Sequence, residues 1–237
     1  LNNPILIGDF VWCGTNTTGI FLHLSDDVFV YGQGYAALNK DVDYLKRAGK
    51  GQPPFSSNKI FRETIEAKNS VGILPHHRIA IREQSLLVTF YNSLKGKNLN
   101  AYYNKAKLIF CMRRPYELFF ARLFRLRNSQ HDRSVEIDKF FANTKDVLDK
   151  CYSLKEKGFD ILFVDVTTGG TLGLRKILRF LDMEPTKKQE GWMSLNPAMN
   201  QATNRGEYVD LREEHRAWGT SALHELYKHP AVKEAYK

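Results

Sequence analysis

Five short apolar runs recur along the chain: PILIGDF (Pro4–Phe10), VFVY (Val28–Tyr31), RIAIR (Arg78–Arg82), KLIFCM (Lys107–Met112) and DILFVDV (Asp160–Val166). Runs of this length suit strands buried in a sheet. The segments between them have helical spacing. Ile20–Leu24 carries an apolar face, and Ser85–Leu94 reads as a helix. Pro115 sits where the first turn of a helix tolerates it, ahead of LFFARLFRL. Ser134–Lys155 sets Ile137, Phe140, Phe141, Thr144, Val147, Leu148 and Cys151 on one face. Leu172–Leu181 reads as a helix stopped by Pro185, and Asp210 with Glu213 as the capping-box start of a last helix through Tyr227. Asn58–Lys68 is expected to be helical, Lys46–Ser57 a surface loop, and Lys187–Val209 irregular. Strands alternating with helices predict an α/β fold with a mainly parallel central sheet flanked by helices.

At 237 residues the chain is long enough for one buried core, and a single domain over 1–237 is expected. Hydrophobic residues at 43% and charged residues at 26% exclude a disordered or collagen-like chain. No apolar run approaches the ~20 residues of a membrane span. The net charge of +9 favours an anionic partner: nucleic acid, anionic lipid, another polyanion or a phosphorylated cofactor. Cys13, Cys111 and Cys151 are too few and too scattered for a disulfide framework or zinc spacing, so buried thiols and no metal are expected. No signal peptide is legible, though the sequence opens at Leu1, which leaves room for a removed targeting segment. Asn16-Thr17-Thr18 is formally a glycosylation sequon, but it falls in a turn suited to phosphate, where a glycan would not fit. A cytoplasmic location is the resulting expectation.

The first strand leads into Trp12-Cys13-Gly14-Thr15-Asn16-Thr17-Thr18. Backbone N–H groups at such a strand–turn–helix junction can hold a phosphate, and glycine allows close approach. Taken alone, the segment reads better as an ordinary βα turn with a Thr/Asn cap. It is not a Walker A loop, so a nucleotide kinase is disfavoured. Gly32-Gln33-Gly34-Tyr35-Ala36-Ala37 matches GxGxxA after a strand, but the acidic residue a dinucleotide site needs ~20 residues on is absent, and a plain turn is the better reading. Arg113 and Arg114 follow the KLIFCM strand, at the end where open α/β sheets bind ligands. A planar guanidinium donates to phosphate bidentately. Arg113 is read as a ligand, and Arg114 as a surface residue.

Three segments in order resemble sulfotransferases that use 3′-phosphoadenosine 5′-phosphosulfate (PAPS). PILIGDFVWCGTNTTGIFLHLSDDV resembles their opening strand, glycine–threonine phosphosulfate loop and helix. AKLIFCMRRPYELFFARLFRL resembles their 3′-phosphate strand and helix, and DILFVDVTTGGTLGLRKILRFLDMEP their Tyr-Glu-Asp-Leu strand, turn and following helix. Together the segments span most of the chain. The resemblance implies a P-loop NTPase-like sulfotransferase architecture. It departs from the family at several positions. Trp12 stands where the phosphosulfate loop usually has Lys or Arg, Gln84 where a catalytic His or Lys would be, Arg114 for Asp or Asn, and Ala121 for a 3′-phosphate serine.

The implied reaction moves a sulfuryl group from PAPS to a hydroxyl or amine. By resemblance Cys13, Gly14, Thr15, Asn16, Thr17 and Thr18 form the phosphosulfate loop. Arg113, Arg205 and Gly206 hold the 3′-phosphate. Glu83 is the implied base, and Arg82 a replacement cation. His76 and His77, which precede the same strand, read better as a surface pair. The acceptor is expected to be a small molecule or carbohydrate, anionic ones included, with its specificity set by Tyr31–His77 and Lys187–Tyr208. Phe119, Phe120, Phe124, Phe140 and Phe141 read as core. Arg122, Arg125 and Arg127 suit either a solvated face or an anionic acceptor. The alternative is a non-catalytic relative that binds a nucleotide or polyanion. A nucleic-acid-binding protein would rest on charge alone and is not expected.

Overall fold

The computed structural model describes residues 3–9, 13–32, 78–82, 86–94, 105–119, 133–167, 170–195 and 220–237. All five apolar runs form strands: β1 (Ile5–Asp9), β2 (Val28–Gly32), β3 (Arg78–Arg82), β4 (Lys107–Met112) and β5 (Ile161–Asp165). They pair in the order β2-β3-β1-β4-β5, and every pairing is parallel. Ile5 lies opposite both Ala80 and Lys107, Val28 opposite Arg78, and Met112 opposite Asp165. Ile5, Leu6 and Ile7 are consecutive and fully buried, so both faces of β1 are covered, as a central parallel strand requires.

Seven helices are described: α1 (Thr15–His23), α2 (Leu86–Ser93), α3 (Arg133–Glu156), α4 (Gly170–Phe180), α5 (Lys187–Leu195), α6 (Thr220–Lys228) and α7 (Pro230–Ala235). A helical turn over 115–119 follows β4. α1 packs on β1, β2 and β3, α2 on β1 and α3, and α4 and α7 on β5. Phe141, Thr144, Leu148 and Cys151 of α3 are buried on the face their spacing predicts. α4 lies so close to β5 that a Cβ on Gly173 would stand 2.3 Å from the Asp165 carbonyl oxygen. All three cysteines are reduced and buried, and burial pushes the Cys151 thiol far above its ordinary range. No helix among the described residues is long and apolar enough to cross a membrane.

Three segments differ from expectation. α1 begins at Thr15, so Thr15 to Thr18 form its first turn rather than a loop ahead of it. α4 ends before Pro185: Asp182 adopts φ 55° and the Met183 N–H returns to the Leu178 carbonyl at 2.9 Å, a left-handed stop. Lys187–Leu195, expected to be irregular, is helical. Thr186 Oγ1 accepts from the Gln189 N–H and Gln189 Oε1 from the Thr186 N–H, a Thr-x-x-Gln capping box. Gln189 is fully buried and donates to the Phe21 carbonyl, tying α5 to α1. The expected helix at Asn58–Lys68 and the capping pair Asp210 and Glu213 lie outside the described residues.

His23, at the end of α1, is half-buried, its Nδ1 is without a hydrogen-bond partner among the described residues, and burial lowers its pKa. The unfolded chain therefore takes up this proton more readily than the folded one. The contribution to stability is complete above the unfolded pKa of 6.5 and is lost as pH falls below it toward the lower folded value. Urea unfolding between about pH 7.5 and 5 is expected to show that loss, and His23→Gln is expected to flatten the profile.

Candidate functional site

An all-parallel sheet brings every strand's carboxyl end to one edge. β1 leads by α1 to β2 on one side, while β4 and β5 lie on the other. The chain thus changes direction beside β1, and the crevice between the ends of β1 and β4 is the topological switch point, where open α/β sheets hold ligands.

The turn after β1 enters this crevice. Gly14 caps α1 with φ 93° and ψ 16°, a left-handed conformation that side chains disfavour. Space demands glycine there as well. A Cβ would lie 2.4 Å from Val166 Cγ2 and 3.2 Å from Thr167 Cγ2. The turn after β1 is therefore seated directly against the chain leaving β5. Gly14 supplies no side-chain cap, the first turn holds no acidic residue, and the first helical bond runs from the Thr18 N–H to the Gly14 carbonyl at 2.9 Å. The N-terminal end of α1, with its partial positive charge, faces the switch point.

The threonines of this turn divide between two tasks. Thr15 is buried, and its Oγ1 accepts a hydrogen bond from Arg82 Nη2 at 3.1 Å. Arg82 ends β3 opposite Ile7 of β1. A guanidinium from a neighbouring strand thus reaches the first turn of α1. Thr18 turns inward: it is fully buried, and its Oγ1 lies 3.2 Å from Cys111 Sγ on β4. Cys13 is likewise fully buried, and Thr17 is half-buried. Thr18 and Cys13 pack the turn onto the sheet, while Gly14 and Thr15 stand at the crevice.

Arg113 enters from the end of β4. Its side chain is 17% exposed, Nε reaches Thr167 Oγ1 at 3.5 Å, and the same atom lies 3.9 Å from Glu117 Oε2. Among the described residues its two Nη groups have no partner. Thr167 is fixed in turn, since its N–H and its hydroxyl both donate to Asp165 Oδ1 at 2.8 Å. Asp165 is 3% exposed, so the chain of contacts from Asp165 through Thr167 to Arg113 is anchored in the core. Gly14, Arg82, Arg113 and Thr167 leave four different strands and meet at one edge. Two cations and a helix N-terminus facing one crevice favour an anion bearing more than one charge.

No family model and no curated protein matches the chain. Among solved structures, the crystal structure of sulfotransferase STF9 from Mycobacterium avium is similar over 95% of this chain and 75% of that one, at 12% identity and a TM-score of 0.59. The fold is sulfotransferase-like. The likeness is one of architecture: an α/β layering of a parallel sheet and helices, as the strand–helix alternation predicts.

Within this sulfotransferase-like fold, Gly14, Thr15, Arg82 and Arg113 come together as described above, and Asn16 lies in the first turn of α1. Glu83, Arg205 and Gly206 lie outside the described residues, as do Trp12, Gln84 and Ala121. Gly32 of the GxGxxA match ends β2. Sequence reasoning missed Asp165, Thr167 and Cys111. For the first two a signal exists, because Asp-x-Thr directly after a strand is a turn in which the carboxylate takes the N–H two residues on. Among the described residues no cluster of His, Cys, Asp and Glu is suited to a metal ion.

Proposed function

We propose that the chain is a PAPS-dependent sulfotransferase acting on a hydroxyl or amine acceptor. The observation that carries this reading is the meeting of the Gly14 turn, Arg82 and Arg113 at the switch point of a sulfotransferase-like sheet. The residues suit the donor: the left-handed Gly14 opens α1 with no side-chain cap, and Arg82 and Arg113 bring two cations to the crevice beside the carboxylates of Glu117 and the buried Asp165. When bound, PAPS supplies an activated sulfuryl group.

The chain's own residues would divide the work. Gly14, Thr15, Asn16 and Thr17 would hold the 5′-phosphosulfate through backbone N–H groups and hydroxyls. Arg82, already bonded to Thr15, would supply the cation that Trp12 does not. Arg113 would take the 3′-phosphate, with Arg205 and Gly206 as further contacts. Glu83, the next residue after Arg82, would accept the proton from the acceptor's hydroxyl or amine. Thr167 and Asp165 would keep the Arg113 guanidinium in place.

Transfer of radiolabel from PAPS to a panel of hydroxyl and amine acceptors tests the activity. Binding is read separately by calorimetry with adenosine 3′,5′-bisphosphate. Arg113→Ala is expected to weaken that binding about 10- to 100-fold, the loss of a charge-assisted contact. Unchanged affinity would remove Arg113 from the site. Tight binding without label transfer to any acceptor would identify a non-catalytic relative.

A further inference from the structure

A second concentration of positive charge lies beside β5, in a cleft that no residue of the Gly14 turn lines. α4 presents Arg175, Lys176 and Arg179, the chain after β4 presents Arg114, and the segment after α7 presents Tyr236 and Lys237. These side chains line a cleft of about 380 Å³, with Asp165 in its wall. Neither Arg113 nor any residue of the Gly14 turn lines it.

No carboxylate among the described residues pairs with Arg114, Arg175, Lys176, Arg179 or Lys237. Arg175 and Arg179 are one helical turn apart on α4, where like charges repel. The Asp165 carboxylate already accepts two hydrogen bonds from Thr167. Burial and Asp165 push the Tyr236 phenol far above its ordinary range, so it adds no negative charge. The cations are nonetheless positioned: the Arg114 guanidinium lies 5.7 Å from the Tyr236 ring centroid, and Lys176 Nζ donates to the Ala235 carbonyl at 3.4 Å. Three separate elements thus aim cations into one concavity whose single lining carboxylate among the described residues, Asp165, is 3% exposed and bonded to Thr167.

We propose that this cleft is a second anion site, distinct from the one at Gly14, for a compact ligand carrying two or more phosphate or sulfate groups. Its volume suits a ligand of small-molecule size rather than a polymer. Arg175 and Arg179 would grip tetrahedral oxyanions through their forks, with Arg114 closing over the ligand from the other side. The reading of Arg114 as a mere surface residue gives way to a specific role.

The test is calorimetry with inorganic pyrophosphate, and in a parallel arm with a sulfated disaccharide, in the presence of saturating adenosine 3′,5′-bisphosphate. One equivalent of at least one probe is expected to bind, and the tighter probe tells phosphate from sulfate as the source. Arg175→Ala with Arg179→Ala is expected to weaken that binding about 100-fold, roughly tenfold per lost guanidinium. Arg113→Ala is expected to leave it unchanged. Both α4 arginines are exposed, so the fold should tolerate the change, and Arg114→Gln provides an independent second variant. The proposal is overturned if neither probe binds, if the bisphosphate displaces the probe, or if both the double variant and Arg114→Gln bind as well as the parent. None of these results depends on whether the chain transfers sulfuryl groups.

Discussion

Gly14→Ala is expected to destabilise the chain by about 3 kcal/mol and to abolish measurable binding of adenosine 3′,5′-bisphosphate. Two costs add. A side chain at φ 93° loses about 1 kcal/mol or more to backbone strain. The new methyl would stand 2.4 Å from Val166 Cγ2, an overlap that forces the turn off β5 at a further cost of about 1–3 kcal/mol. Against a domain stability of about 5–15 kcal/mol this is a large fraction. Lifting the turn also moves the first N–H groups of α1 away from Arg113 and Thr167, so binding fails even in molecules that remain folded. Urea denaturation measures the first effect and calorimetry below the unfolding transition the second. Val166→Ala in the Gly14→Ala background is expected to recover part of the stability, because it removes the clashing methyl while the strain remains. Equal stability of the double and single variants would show that overlap with Val166 is not the cause.

Arg82→Ala is expected to lower sulfuryl transfer about 10²–10³-fold, the usual effect of deleting one donor aimed at developing charge. Its guanidinium reaches Thr15 from the strand on the far side of β1, and the turn itself brings no Lys or Arg. Arg82→Lys keeps the charge and loses the planar fork, and should fall between the parent and the alanine variant. If the role is electrostatic, kcat falls more than KM rises, and the variants retain the parent's melting temperature. A parallel loss of melting temperature and kcat, with the lysine variant no better than alanine, would mean that Arg82 only holds Thr15 in place.

The fold was largely legible because its signals are local. KLIFCM is a strand over its whole length, and the helix expected at Ser134–Lys155 runs Arg133–Glu156. A continuous apolar run bounded by polar residues, or an apolar face repeated over several turns, survives whatever surrounds it. The start of α1 was not legible. Thr-Asn-Thr-Thr is a poor helix former. The helix begins there because Gly14 is left-handed and seated on Val166, a residue far along the chain. α5 was missed although Thr186 and Gln189 carried its cap in plain view.

The candidate site divides in the same way. Arg113 was found because it directly follows an apolar strand, and Gly14 because it lies in the short turn between the first apolar run and the next helix. Arg82 was reached only by resemblance, since its bond to Thr15 depends on β3 lying beside β1, and strand order is not written in any one segment. Thr167 escaped for the same reason: its contacts with Arg113 and Gly14 join three strand ends.

The strand order also bears on how the chain is made. β1 is near the start of the sequence, yet its partners are β3 and β4, with Ile5 opposite both Ala80 and Lys107. No neighbouring strand can shelter it in the meantime. At a synthesis rate of about 10 residues per second, the apolar Ile5-Leu6-Ile7 segment waits on the order of ten seconds before both sides of the ladder have emerged from the ribosome. Until then it is an unpaired strand available to other chains. Production of this protein should therefore be sensitive to chaperone supply and growth temperature, even where the finished fold is stable.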